Sequence, residues 1–140
     1  MNDNEYLQTT MQVTQLTTST EYRKAMLLSR RQHPDNLARA DKDSEEYASI
    51  RLLIGTWNAI ALVCERFNAK QRSQFFRSNP VSLVWQHLEP ATTIIRGNTD
   101  AGFASDFEEL HNQYEKWTSS KDGKRYTTGQ LQALNACFLV

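Results

Sequence analysis

Residues 43–67 read DSEEYASIRLLIGTWNAIALVCERF, and the fold follows from this stretch. Tyr47, Ile50, Ile54, Trp57, Ala61 and Cys64 recur at alternating steps of three and four, which places all of them on one face of a single α-helix. Leu53, Ile60 and Phe67 add a second stripe beside the first, so the apolar arc is wide enough to face two neighbouring helices. The pattern predicts a long central helix from Ser44 to Phe67. Asp43 is expected to cap it, with Glu46 three residues on reaching back in a capping box. Gly55 costs about 1 kcal/mol relative to alanine inside a helix, which points to a close helix crossing or a local kink there.

Working outward, His33-Pro34 is expected to end a preceding helix that starts after a Thr20 cap, because proline disfavours helical backbone in the residue before it. Tyr22, Ala25, Met26, Leu28 and Ser29 form the inner face of that helix. Residues 1–20 read as a weak, threonine-rich helix, a flexible tail or a swapped arm. After the central helix, residues 68–77 form a short helix anchored by Phe75 and Phe76. Asn79-Pro80 then looks like an N-cap followed by proline at the first helical position. Val81, Val84, Trp85 and Leu88 supply one face of the next helix, which Pro90 should kink or break near Glu89, with Gly97 as a left-handed C-cap. Phe103, Phe107, Leu110, Tyr114 and Trp117 follow at helical spacing, and residues 130–138 suggest a last short helix. The expected fold is all-α: a compact single-domain helical bundle of about five to seven helices, residues 1–140, around the long central one.

Lys plus Arg and Asp plus Glu each total 16, so the formal charge is zero with the three histidines neutral. That balance argues against a dedicated nucleic-acid binder and against a polyanionic mimic of one. The charge is segregated along the chain. Residues 78–117 carry only Arg96 and Lys116 against Glu89, Asp100, Asp106, Glu108, Glu109 and Glu115, whereas the stretch before them is basic on balance. The two cysteines, Cys64 and Cys137, stand where a small buried hydrophobe would serve, and such usage suits a reducing, cytoplasmic location. No signal-peptide pattern opens the chain, and Arg51, Glu65 and Arg66 interrupt the long apolar stretch, so no membrane role is expected.

Groups that could carry chemistry are few. Glu108-x-x-His111 projects a carboxylate and an imidazole from one helical face, as in carboxylate-bridged di-metal bundles, but those sites need a second copy and two further inward glutamates. His33, His87 and His111 show no recognised metal spacing. A Cys64–His87 or Cys64–His111 pair would demand an accessible thiolate, and Cys64 sits on the buried stripe. The glycines form no phosphate-cradling pattern. These features predict no catalytic residue, no cofactor and no metal. Arg66, Lys70, Arg72 and Arg77, interleaved with Phe67, Phe75 and Phe76, form the best basic patch, and exposed rings beside such cations could stack on bases.

The run from Ile50 to Ala61, the segment Arg72 to Arg77, Val84-Trp85, Leu88-Glu89-Pro90, Ile95-Arg96, Phe107-Glu108-Glu109-Leu110 and Trp117 together resemble a family of short bacterial and phage-borne helical proteins classed only as a domain of unknown function. The resemblance implies an all-helical domain and brings no active residue with it. This chain differs from many members in lacking an amino-terminal membrane segment, and Gly55-Thr56-Trp57 stands in place of an asparagine and two aromatics. The resemblance also implies an accessory role, inhibiting or modulating a host factor such as a defence complex. From the residues themselves the expectation is a non-enzymatic module that binds a protein partner through aromatic anchors, with a homodimer as one arrangement that the wide apolar arc invites. The alternative is a nucleic-acid-associated regulator using Arg66, Lys70, Arg72 and Arg77.

Overall fold

A computed structural model describes residues 1–127 and 129–131. Among them are helices α1 (Asp3–Thr17), α2 (Thr20–Arg30), α3 (Pro34–Ala38), α4 (Glu45–Cys64), α5 (Ala69–Ser78), α6 (Val81–Asn98) and α7 (Ser105–Thr118), followed by a 3-10 turn at Gly123–Arg125. No strand occurs among the described residues, and the all-α bundle is as expected. The last helix expected at residues 130–138 lies largely outside the described residues.

α4 is the axis of the bundle. α2 and α7 pack along its two sides, α6 lies against α3, α7 and α4, and α1 rests on α2 and α4. Both stripes read from the sequence point inward: Ile50, Leu53, Ile54, Trp57, Ile60, Ala61 and Cys64 are all buried. Tyr47, at the first turn, is only partly covered. Trp57 is fully buried and stacks on Phe107 of α7 at 5.9 Å, and Phe107 meets Trp85 of α6 edge-on at 5.1 Å. Its indole Nε1 donates to the Tyr22 hydroxyl of α2 at 2.8 Å. One side chain thus ties three helices, contributing about 1.5–3 kcal/mol from burial alone. A second aromatic group joins Phe76 of α5 to Tyr114 and Trp117 of α7, where Trp117 Nε1 donates to Ser73 Oγ at 2.9 Å.

Several boundaries differ from the sequence reading, each for a local reason. α4 is capped by Ser44, not Asp43: the Ser44 hydroxyl accepts the Tyr47 amide at 3.1 Å. The helix stops at Cys64 rather than Phe67. Tight turns follow, in which Arg66 N donates to Val63 O and Phe67 N to Cys64 O, and Asn68 with Gln71 forms a capping box that opens α5. Phe67 is still buried, edge-on to Tyr6 at 5.0 Å. α2 is capped by Ser19 instead of Thr20, and it ends at Arg30 before the proline acts. His33 caps α3, accepting the Asp35 amide through Nδ1 at 3.2 Å, with Pro34 at the first helical position.

Asn79 does not cap α6. Its side-chain amide donates back to Phe75 O at 2.9 Å, closing α5, and Pro80 precedes the first residue of α6. Pro90 lies inside an unbroken α6. The carbonyl it leaves without an amide belongs to exposed Gln86, where water can serve it. Gly97 is within the helix and has no positive φ, so it is not a left-handed cap. Gly55 is exposed, and a Cβ there would meet nothing within 4 Å, so it marks neither a helix crossing nor a tight contact inside the chain. α1 is a docked helix in which Thr9 and Val13 are buried, and the Gln71 side-chain amide donates to Met1 O at 2.8 Å.

α7 begins without a cap of its own, from Ala104 in left-handed backbone (φ 62°). Asn58 of α4 takes that role, its Oδ1 accepting the Phe107 amide at 3.1 Å.

Candidate functional site

The groups suited to chemistry are engaged in holding helices together. Glu108 faces Arg96 at 3.1 Å, and the same guanidinium donates through Nε to Phe103 O at 2.7 Å and lies 5.8 Å from the Trp85 ring centre. His111 Nδ1 is 2.9 Å from Ser82 Oγ, and its ring stacks on Trp85. The Glu108-x-x-His111 spacing therefore sends its two side chains to different partners on α6. His87 Nε2 donates to Ser29 O at 2.9 Å, joining α6 to α2. Among the described residues no cluster of three or more His, Cys, Asp or Glu could hold a metal ion. Cys64 is buried, and burial pushes its thiol up to about 12 despite the lowering effect of Arg72. At neutral pH it is a protonated, enclosed thiol, the opposite of an activated nucleophile.

Ser82 with His111 is a hydroxyl–imidazole pair that the sequence reading did not single out, since the two residues come from different helices. A nucleophile also needs access, and Ser82 is buried beneath α7. The pair reads as a hydrogen bond between α6 and α7.

The four basic residues of the predicted patch do not form one surface with their aromatic neighbours. Arg66 is 69% exposed and 3.8 Å from Glu5. Lys70 is exposed on α5. Arg72 turns inward, its terminal nitrogen donating to Phe67 O at 3.3 Å, and Arg77 lies 5.7 Å from the Tyr126 ring centre. The Nε atoms of Arg72 and Arg77 are both buried without a hydrogen-bond partner. Phe67, Phe75 and Phe76 are all buried. No ring of this segment is available as a stacking platform.

A cleft of about 150 Å³ lies where α3 meets α4 and α6, with Leu37, Ile50, Ala91 and Ile94 in its walls and Arg39 and Lys42 among its polar lining. Its lining holds no carboxylate, imidazole or thiol. Ligand pockets typically offer about 300–1,000 Å³, so this one admits a single side chain.

A further candidate is the outward face of α4, although exposed apolar side chains also stand on α1 at Leu7, Met11 and Leu16. From Leu52 to Cys64 the sequence has no charged residue, so the helix is uncharged on every side through three turns, including the side turned to water. Ala48, Leu52, Gly55, Ala59 and Leu62 repeat at steps of four and three along that side, and all are exposed. Leu52 is 40% and Leu62 50% exposed. Arg51, at the edge of this face, is drawn aside, its guanidinium carbon 4.8 Å from the Phe103 ring centre. Thr56 and Val63 border the other edge and are half-buried. Glu45–Cys64 is long and apolar enough to cross a membrane by length and composition, and 39% of its most apolar window is buried inside the bundle. A core helix flanked by α2 and α7 satisfies the same test. In the sequence the signal for this face is the missing charge at the positions complementary to the inward stripes.

No family model, curated protein or solved structure matches the chain. The surface itself therefore carries the functional reading.

Proposed function

We propose that this protein works by protein–protein binding through the outward face of α4, and not by catalysis. The observation that carries the reading is the uncharged, exposed strip from Ala48 to Leu62 on the most apolar helix of the bundle. A surface helix of a globular protein normally turns polar and charged residues to water, and a contiguous exposed apolar patch marks a surface built to be covered. The groups that could serve catalysis support the same reading, because Cys64, His87, His111 and Glu108 are each engaged within the bundle. The nucleic-acid alternative keeps exposed cations at Arg66 and Lys70 but loses its rings, so protein binding is preferred. The sharper form, an accessory protein acting on a host complex, is supported by the resemblance to phage-borne helical proteins, and the cysteine usage suits a cytoplasmic location.

The test is capture by the immobilised chain, comparing the native sequence with Leu52→Glu. A partner held by the native chain and released by the variant, with unchanged circular dichroism, is the expected result. A partner held equally by both, or none from any relevant lysate together with a strictly monomeric chain, overturns the reading.

A further inference from the structure

The strip on α4 has a symmetry that a surface made for an unrelated partner does not require. Along it the side chains run Leu52, Gly55, Ala59, Leu62: large, small, small, large. Reversed end for end about position 57, Leu52 falls on Leu62 and Gly55 on Ala59, so these four inner positions map onto one another, while Ala48 falls on Arg66 just beyond the helix. A two-fold interface demands this property, since each residue must meet a partner residue that meets it in return. At the centre of the strip a Cβ on Gly55 would meet nothing within 4 Å, and the two small residues let another backbone come close, while the leucines at either end close the contact. Helix pairs packed in this way approach to about 8–10 Å, the distance being set by the side chains at the crossing.

Charge selects the direction. α4 opens with Glu45 and Glu46, preceded by Asp41, Lys42 and Asp43, and it is followed by Glu65, Arg66 and Lys70, so its start is acidic on balance and its exit weakly basic. Glu45, Arg66 and Lys70 are all exposed. In an antiparallel pair the acidic start of each helix lies over the basic exit of the other, and the two helix dipoles oppose. A parallel pair would set like charge against like at both ends. We propose, on the reading of this face as a protein-binding surface, that its occupant is a second copy of the chain, the two α4 helices crossing antiparallel about an axis between Gly55 and Ala59 on the outward face. The contact strip is short, roughly 15 Å between Leu52 and Leu62 at the helical rise, which places the pairing among small, reversible interfaces.

Sedimentation velocity of the full chain across a concentration series tests this directly. The expected result is a mass rising from the 16.2 kDa of one chain towards twice that value, with Leu52→Glu and Leu62→Glu each remaining monomeric while their far-ultraviolet spectra and melting curves stay native-like. Direction is read by disulfide formation in a Cys137→Ser background. Mixing Gly55→Cys with Ala59→Cys should cross-link faster than either variant alone. A monomer at every concentration overturns the proposal, and so does preferential Gly55→Cys self-cross-linking, which would mean a parallel pair. Binding of the monomer to vesicles of phosphatidylcholine and phosphatidylglycerol would assign the face to lipid instead. A monomer whose captured protein partner is lost on Leu52→Glu would overturn the second copy as occupant while leaving the protein-binding reading standing.

Discussion

Replacing Gly55 with alanine separates what the central helix needs for folding from what its surface is for. Within the chain the substitution has no steric cost, since the new Cβ would have nothing within 4 Å. It also gains little burial, because the position is exposed. What remains is the difference in backbone freedom and helix propensity between glycine and alanine, about 0.8–1.0 kcal/mol in favour of alanine in a helix interior. For a chain of 140 residues, that corresponds to a rise in Tm of roughly 3 °C. The assay is urea denaturation followed by circular dichroism at low protein concentration, where the midpoint should increase with an unchanged denaturant slope. A midpoint that stays put or falls would refute the reasoning, because it would mean that the glycine serves a bend or contact within one chain. At high concentration the gain should shrink if the added methyl stands between two α4 helices. The same variant therefore reads both the monomer and its association.

Two further substitutions probe the interior. Ser73→Ala removes the acceptor of the Trp117 indole N–H in a buried hydrogen bond, and a loss of about 1–3 kcal/mol is expected in the same denaturation assay, with little change in fold. In a Cys137→Ser chain, Cys64 is the remaining thiol. It should resist alkylation at pH 8 until the protein unfolds, and a rate matching that of a free thiol would contradict its burial. Because burial raises the Cys64 pKa from its ordinary 9.0 to about 12, the unfolded chain releases this proton first as pH rises. The stability associated with Cys64 is fully present below about pH 9 and is lost progressively towards pH 12, a trend that Cys64→Ala should flatten.

How much of this could be read in advance depended on whether the signal was local. The inward stripes of α4 were legible because periodicity depends only on spacing, and each buried position among them from Ile50 to Cys64 was named by it. The caps were less legible. Asp43 and Ser44 are both good cap residues standing side by side, and Thr20 follows Ser19, so composition could not choose between neighbours one residue apart. Pro90 misled for a different reason: its cost depends on whether the freed carbonyl reaches water, which is a property of the packed helix. The basic patch fails as a stacking surface for a reason already in the sequence: Phe67 extends the second apolar stripe and Phe75 and Phe76 anchor α5, and packing against α1 and α7 puts all three rings in the core. The outward strip of α4 was visible in principle, since no charge interrupts residues 52–64, but a stripe acquires meaning only once its opposite face is known to be covered.

Asn58 has a consequence for how the molecule comes apart. Because its side chain supplies the cap that α7 lacks, the first turn of α7 is chemically complete only when α4 is formed and in place. The two helices, separated in sequence by all of α5 and α6, are therefore expected to open and close together. Hydrogen exchange at the Phe107 amide becomes a reporter on a helix to which that amide does not belong.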